Sequence, residues 1–142
     1  MIKYLLQIFV LSSIFLQTMA SEKRNCLITE AFDVYVANSL PPNSPSLLVH
    51  CASKDDDLGN HTLTNNQEFH FGFCDNSFNT LFFCTLWWGK KQRGFEVFHE
   101  KFPKSWRGAS CDVDVCYWAV KSDGIYFSNY NPPRGLTKKY SW

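Results

Sequence analysis

The residues of this chain with the most obvious chemical potential are its six cysteines: Cys26, Cys51, Cys74, Cys84, Cys111 and Cys116. A thiolate can act as a nucleophile or a metal ligand, whereas an even number of cysteines in a small secreted chain is typical of disulfide bonds. Because a disulfide has no thiolate, oxidation would remove these nucleophiles. Six cysteines allow 15 pairings, and the sequence does not rank them all.

Four histidines, His50, His61, His70 and His99, are candidates for acid-base catalysis. The His-Gly-Leu-Trp context of a class of secreted ribonucleases is absent, as are Gly-x-Ser-x-Gly, His-Glu-x-x-His and a phosphate-cradling glycine loop. His50 and His70 are expected to project from strands on the faces opposite their apolar neighbours. The sequence therefore predicts no catalytic residue and no enzyme.

The run Asp55-Asp56-Asp57 suggests calcium, since clustered carboxylates are hard oxygen ligands. The alternating ligands, central glycine and later glutamate of an EF-hand loop are missing, however. We instead expect the aspartates to close a turn through hydrogen bonds to backbone N–H groups, with Gly59 at a positive φ. No metal or cofactor is predicted.

Two further features could serve recognition. Asn60-His61-Thr62 is the one glycosylation sequon of the chain, and we expect Asn60 to carry a glycan. Lys90, Lys91 and Arg93 are expected at the tip of a hairpin, where they are candidates for contact with a receptor. The alternative for these three cations is a solvated turn.

The N-terminus reads as a secretion signal covering residues 1–20. Lys3 supplies the positive charge, residues 5–16 an apolar run, and Thr18-Met19-Ala20 a cleavage site after Ala20. The run of about 12 residues is shorter than the roughly 20 that span a bilayer. We therefore expect residues 21–142 to form one secreted, extracellular domain that does not insert into membranes.

Charge argues against a nucleic-acid binder. The chain has 14 basic and 13 acidic residues, and removal of residues 1–20 takes away only Lys3, which leaves 13 of each. A nucleic-acid-binding domain normally carries a net basic surface to displace counterions from phosphates. Nucleic acid is therefore not expected as a partner.

The elements that position these residues are predicted to be strands. Aromatic residues make up 17% of the chain, and about seven short β-rich runs alternate with turn formers. This pattern predicts an all-β fold, a small disulfide-stabilised antiparallel β-sandwich. The predicted strands contain the following seven runs: Phe32–Val36, Leu47–Ala52, Phe69–Phe73, Thr80–Trp88, Phe95–Phe98, Cys111–Val120 and Ile125–Phe127.

Three details of these strands can be checked. Thr80–Trp88 is apolar on both faces, so it should be central and covered on both sides, or else form a binding surface. Cys111–Val120 changes its alternation, which predicts a bulge near Cys116. Because Cys111 and Cys116 would lie on opposite faces of a regular strand, we expect them not to bond to each other. The tail from Asn131 is expected to be irregular.

Three segments together resemble the plant self-incompatibility S1 family, or S-protein homologues. They are Val49–Gly59, Leu81–Cys84, and Cys116–Trp118 with Asp123–Tyr126, in that order along the chain. The resemblance implies that residues 21–142 form an S1-type domain, a secreted plant β-sandwich without known catalysis. It also implies that Cys51, Cys84, Cys111 and Cys116 are the family's usual cysteines, with Cys26 and Cys74 added and bonded to each other.

The function implied by this resemblance is signalling between cells. In the poppy members a pistil protein is recognised by a receptor on the pollen plasma membrane, and self pollen is rejected. We therefore expect a monomeric, secreted ligand for a cell-surface receptor. The alternative is an apoplastic defence or carbohydrate-binding module whose exposed aromatic residues stack on sugars, without a role in self-incompatibility.

Overall fold

The computed structural model describes residues 26, 27, 29–75, 80–99, 111 and 114–142, and the predicted secretion signal lies outside them. The described residues form nine strands: β1 (Ala31–Asn38), β2 (Leu47–Ala52), β3 (Asp57–Leu63), β4 (Glu68–Cys74), β5 (Leu81–Trp88), β6 (Lys91–His99), β7 (Val115–Lys121), β8 (Gly124–Ser128) and β9 (Thr137–Tyr140). The described residues form no helix, and thus no helix that is long and apolar enough to cross a membrane.

The strands are arranged in two sheets. Sheet I has the order β4-β1-β7-β8-β9, and sheet II has the order β3-β2-β5-β6. The predicted all-β sandwich is confirmed, with nine strands rather than about seven. The fold is also not wholly antiparallel, because β1 and β7 pair in parallel.

The two strands that the sequence pattern missed, β3 and β9, are both edge strands. Most of their side chains are polar and exposed. An edge strand has one free side and tolerates polar residues, so it lacks the alternation by which strands are recognised. The tail from Asn131, expected to be irregular, therefore contributes β9 to sheet I.

The core lies between the sheets and follows the period-2 alternation of strands. Leu47, Val49 and Cys51 of β2 and Phe32, Val34 and Val36 of β1 are almost fully buried. Trp118 of β7 ties the sheets together, since its Nε1 donates a hydrogen bond to the Val97 carbonyl of β6 at 3.1 Å.

The expectation that Thr80–Trp88 is covered on both faces is wrong. β5 is central in sheet II, but Leu81 and Phe83 are 37% and 44% exposed while Phe82, Cys84 and Leu86 are buried. The strand buried on both faces is β7, which lies between β1 and β8. The outer side chains of β7 lie in a second small cluster, in which Tyr35, Tyr126 and Leu136 pack against Tyr117 and Ala119.

The predicted bulge near Cys116 is also absent. β7 starts at Val115 and pairs with β1 and β8 without a register shift. The change of alternation arises because Cys111 precedes the strand. The alternation of the strand therefore does not fix the direction of the Cys111 side chain.

Candidate functional site

All six cysteines are in disulfide bonds, which removes them as nucleophiles. Cys51 and Cys84 face each other across β2 and β5, with Cα atoms 4.1 Å apart, and both are fully buried. Cys26 bonds to Cys74, which attaches the segment before β1 to β4.

The expectation that Cys111 and Cys116 do not bond to each other is wrong. The structure joins them, with Cα atoms 5.2 Å apart. The expectation assumed one regular strand through both residues, whereas Asp114 lies in a bend between Cys111 and β7. The bend changes the relative directions of the two side chains.

Each of the four histidines has a local partner. His50 Nε2 lies 2.7 Å from Asp57 Oδ1, His70 Nε2 lies 3.0 Å from Asp33 Oδ1, and His99 Nδ1 lies 3.1 Å from Glu96 Oε2. His61 instead bonds to the Leu58 carbonyl. As predicted, His50 and His70 project from the outer faces of their sheets, and the structure does not bring them together.

The turn after β2, residues 53–56, is closed by Ser53 rather than by aspartate side chains: the Ser53 N–H donates to the Asp56 carbonyl at 2.7 Å, and the Ser53 Oγ accepts from the Asp56 N–H at 3.1 Å. The expected positive φ of Gly59 and a bond from a backbone N–H to an aspartate are present, but they lie in β3. Gly59 has a φ of +77°, and its N–H donates to Asp57 Oδ1 at 2.9 Å. Asp57 lies in β3, and its carboxylate also bonds to His50 of the neighbouring strand β2. The Gly59 N–H and the His50 ring hold the pKa of Asp57 below its usual range. Among the described residues, no group of three or more His, Cys, Asp or Glu side chains could hold a metal ion.

The sequence reasoning missed Asn38, which organises the loops at one end of the sandwich. Asn38 is buried at the end of β1; its Nδ2 donates to the Leu63 carbonyl at 2.9 Å and its Oδ1 accepts from the Leu40 N–H at 3.0 Å. Its backbone bonds to Asn66 and Gln67. These bonds hold residues 39–46 to residues 64–67, and we call this end of the sandwich the loop end.

The β5–β6 hairpin also reaches the loop end, because Leu47 pairs with both Leu63 and Trp88. Its turn consists of Gly89 and Lys90, so Lys90 lies at the tip as predicted. Lys91 and Arg93 are instead in β6. The Lys91 ammonium lies 5.5 Å from the centre of the Trp88 ring, and the Arg93 guanidinium 5.0 Å from that of Tyr140.

The C-terminus closes the loop end. The Trp142 indole Nε1 donates to the Lys121 carbonyl at 2.8 Å, and the Trp142 ring lies 5.6 Å from that of Trp88. This contact joins the last residue to the β7–β8 turn and to the hairpin. Cations and loops from both sheets therefore share one ordered surface.

The outer face of sheet I carries a row of tyrosines. The Tyr35 ring stacks on His70 at 4.3 Å and lies 6.0 Å from Tyr117. Burial raises the pKa of Tyr117. The Tyr126 hydroxyl donates to Asp123 at 2.7 Å, which lowers the pKa of that carboxyl and raises the pKa of the tyrosine.

The outer face of sheet II is more apolar. The pairing of its strands places these side chains on that face: Leu48, His50, Ala52, Leu81, Phe83, Thr85, Trp87, Gln92 and Glu96, with Gly94 among them. The Phe83 ring lies over Gly94, since a Cβ added at Gly94 would meet Phe83 Cζ at 2.8 Å. The sequence pattern assigned the aromatic residues of β5 to the core. No signal in the sequence marks Gly94 of β6 as the contact of Phe83.

The sequon lies on the edge strand of this same sheet. Leu63 and His61 face the core, and the His61 ring stacks on Phe69 with centroids 3.9 Å apart. Asn60 and Thr62 alternate with them and are exposed. Asn60 therefore projects from the outer face of sheet II.

Comparison with known proteins gives a family match. The family model described as "Plant self-incompatibility protein S1" matches residues 33–142, which include β2–β9 and most of β1. The chain is 38% identical over 81 residues to S-protein homolog 5 of Arabidopsis thaliana, covering 56% of this chain and 59% of that protein. It is 36% identical over 86 residues to Self-incompatibility protein S1 of Papaver rhoeas, covering 59% of each chain. These matches thus span about three fifths of the length of the two relatives.

A solved structure gives an independent comparison of the fold. An SPH (self-incompatibility protein homologue) structure, from a widespread family of small, highly stable, secreted proteins from plants, superposes with a TM-score of 0.59 at 16% identity. The superposition covers 82% of this chain and all of that one. At this identity the likeness concerns the fold.

Proposed function

This chain belongs to the plant self-incompatibility protein S1 family, and from that premise we propose that it is a secreted ligand for a receptor protein on the surface of another plant cell. Pollen is the first cell type to test, with inhibition of self pollen as the response. The ligand acts as a monomer and by being bound rather than by catalysis.

The observation that carries this proposal is the ordered loop end. Asn38 fastens two loops to each other through four hydrogen bonds, and the Trp142–Trp88 contact fastens the hairpin beside them. Recognition sites are commonly loops held by a rigid scaffold, because preorganised loops lose little entropy on binding. We place the receptor contact here, with the exposed Lys90 and Lys91 as its cations.

The test is saturable binding of the folded, oxidised protein to intact cells. Labelled protein is titrated onto pollen and onto other plant cells, with unlabelled protein as competitor. Lys90→Glu reverses a charge at the loop end, whereas Lys54→Glu reverses one at the opposite end, in the β2–β3 turn. We expect Lys90→Glu to weaken binding at least several-fold and Lys54→Glu to leave it unchanged, since charge pairs across an interface set its register and association rate.

If the two variants changed binding equally, the receptor contact would not be at the loop end. Absence of saturable binding to every cell type, together with binding to immobilised glycans, would replace the ligand proposal by the carbohydrate-binding alternative. Size-exclusion chromatography of the same samples checks the monomer.

A further inference from the structure

We propose that an N-linked glycan on Asn60 folds back over the outer face of sheet II and covers the ring of Phe83. Glycosylation requires entry into the secretory pathway, so this inference rests on the secretion proposed above. It requires no receptor. The sugar chain is the occupant because its attachment point is built into the same face as the apolar platform.

The pairing of the strands gives the path of the glycan. Asn60 lies directly opposite His50, His50 opposite Thr85, and Thr85 opposite Gly94. Neighbouring strands are about 5 Å apart, so Asn60 and Thr85 are separated by about 10 Å across the sheet. A chain of a few sugars leaving Asn60 along this row reaches Gly94, where the Phe83 ring lies.

Phe83 is unusually well placed to receive a sugar ring. Because Gly94 has no side chain, the Phe83 ring can lie against it: ring atoms Cζ and Cε1 are 2.8 and 2.9 Å from the position that a Cβ at residue 94 would take. Phe83 as a whole residue is 44% exposed although it lies in a central strand. The face of an aromatic ring carries partial negative charge, which attracts the partially positive C–H groups on the apolar side of a pyranose.

The residues between the anchor and the platform suit the same ligand. Next to Asn60, His50 and Asp57 form an exposed polar pair that can bond to sugar hydroxyls. Leu48 and Trp87 are half-buried and flank the row on the side of the loop end. The face is thus polar near Asn60 and offers an aromatic ring at Phe83, beside the exposed Glu96 that pairs with it in β6, which suits a glycan with both hydroxyl and C–H groups.

Covering this face has a physical benefit. A contiguous exposed apolar patch on a secreted protein promotes association with other surfaces. A glycan attached at the edge of the patch is a covalently linked cover that cannot diffuse away, so its local concentration stays high without strong binding. The glycan thereby keeps the outer face of sheet II from becoming a second contact surface.

The test uses the full chain secreted from cultured plant cells as wild type, Thr62→Ser and Thr62→Ala. Thr62→Ser keeps the sequon and Thr62→Ala removes it, while both leave Asn60 in place. Mass spectrometry of the peptide containing Asn60 measures occupancy. One wild-type sample is trimmed by an endoglycosidase to a single sugar, which is too short to reach Gly94.

We expect magnetisation transfer between sugar protons and the Phe83 ring protons in the wild type and in Thr62→Ser. We also expect the trimmed protein and Thr62→Ala to bind at least twice as much of a hydrophobic dye as the wild type. In a Phe83→Ser background these differences in dye binding should disappear. The trimmed sample keeps the test valid if Thr62→Ala folds poorly.

An unmodified Asn60 in the secreted protein overturns the inference. So does an occupied Asn60 without sugar–ring contact and with unchanged dye binding after trimming. Neither result bears on receptor binding, which the Lys90→Glu and Lys54→Glu comparison measures separately. A chain that is retained inside the cell counts against the proposed function itself.

Discussion

At the scale of single residues, Asp57 and Asn38 are polar side chains whose hydrogen bonds hold the fold. Asp57 accepts from the Gly59 N–H and pairs with His50, and Asn38 bonds to Leu63 and to Leu40. His50 and Asp57 were candidates for catalysis and for metal binding in the sequence, and in the structure they bond to each other. The Asp57 pair is the case in which this role can be measured through pH.

Replacement of Asp57 by Asn should destabilise the protein at neutral pH and have little effect in acid. The folded-state pKa of Asp57 is lowered, so its carboxylate contributes stability above the unfolded-state pKa of about 4, and this contribution is lost as the pH falls through the folded-state pKa. Urea denaturation of wild type and Asp57→Asn at pH 7 and near pH 3 measures the difference.

Asp55→Asn is the matched control, because it removes the same charge from the neighbouring turn. We expect Asp55→Asn to change stability less than Asp57→Asn at pH 7. A gap between wild type and Asp57→Asn that is equally wide at both pH values would contradict the assignment.

At the scale of elements, close contacts at the ends of strands decide which segments pair. Gly124 opens β8 with a φ of +155°, and a Cβ there would meet the backbone oxygen of Tyr140 in β9. Gly89 in the β5–β6 turn has a φ of +56°, but a Cβ there would meet nothing within 4 Å. Replacing each glycine by Ala therefore distinguishes the cost of backbone strain, which both variants carry, from the cost of steric overlap, which only the Gly124 variant carries.

Gly124→Ala should cost more stability than Gly89→Ala. The Gly89 variant carries only the strain of a positive φ, about 1 kcal/mol, whereas the Gly124 variant must also push β9 away and should lose about 1–3 kcal/mol more. Chemical denaturation measures both losses. Hydrogen exchange should show faster exchange of the β8–β9 amides in Gly124→Ala alone, and equal protection of those amides in the two variants would speak against the close packing.

At the scale of the whole molecule, the sandwich is fastened at three places by disulfides. Cys51–Cys84 lies inside sheet II, Cys26–Cys74 holds the segment before β1 to sheet I, and Cys111–Cys116 closes a short loop before β7. The bonded cysteines are 33 residues apart in Cys51–Cys84, 48 in Cys26–Cys74 and 5 in Cys111–Cys116. A longer closed loop restricts the unfolded chain more.

Removal of the Cys51–Cys84 bond by replacing both residues with Ala should cost about 4 kcal/mol, and the same change at Cys111 and Cys116 about 2 kcal/mol. These figures follow from the loop-closure entropy of the unfolded chain. Since a domain of this size has a total stability of about 5–15 kcal/mol, the first variant should be close to unfolding at elevated temperature. Thermal and urea denaturation of the two double variants measure the order, and a reversed order would show that strain or packing outweighs loop length.

Much of this protein could be read from its sequence, because the informative patterns are local. Alternation in Phe32–Val36 and Phe69–Phe73 located β1 and β4, and the run of aspartates before Gly59 predicted the positive φ of that glycine. The segments around Cys51 and Cys116 carried the family resemblance that the family model confirms. Each of these signals depends on residues that are neighbours along the chain.

The tertiary structure alone decided which apolar faces are covered. β5 and β7 are both rich in apolar residues, yet β5 leaves Phe83 exposed and β7 buries both faces, since side chains from β1, β8 and the segment before β9 pack over the outer face of β7. The same holds for Phe83 over Gly94, for Asn60 on the face of Phe83, and for Asn38 between two loops. These contacts join residues far apart in sequence, and their formation depends on sheet order and register, which local patterns do not encode.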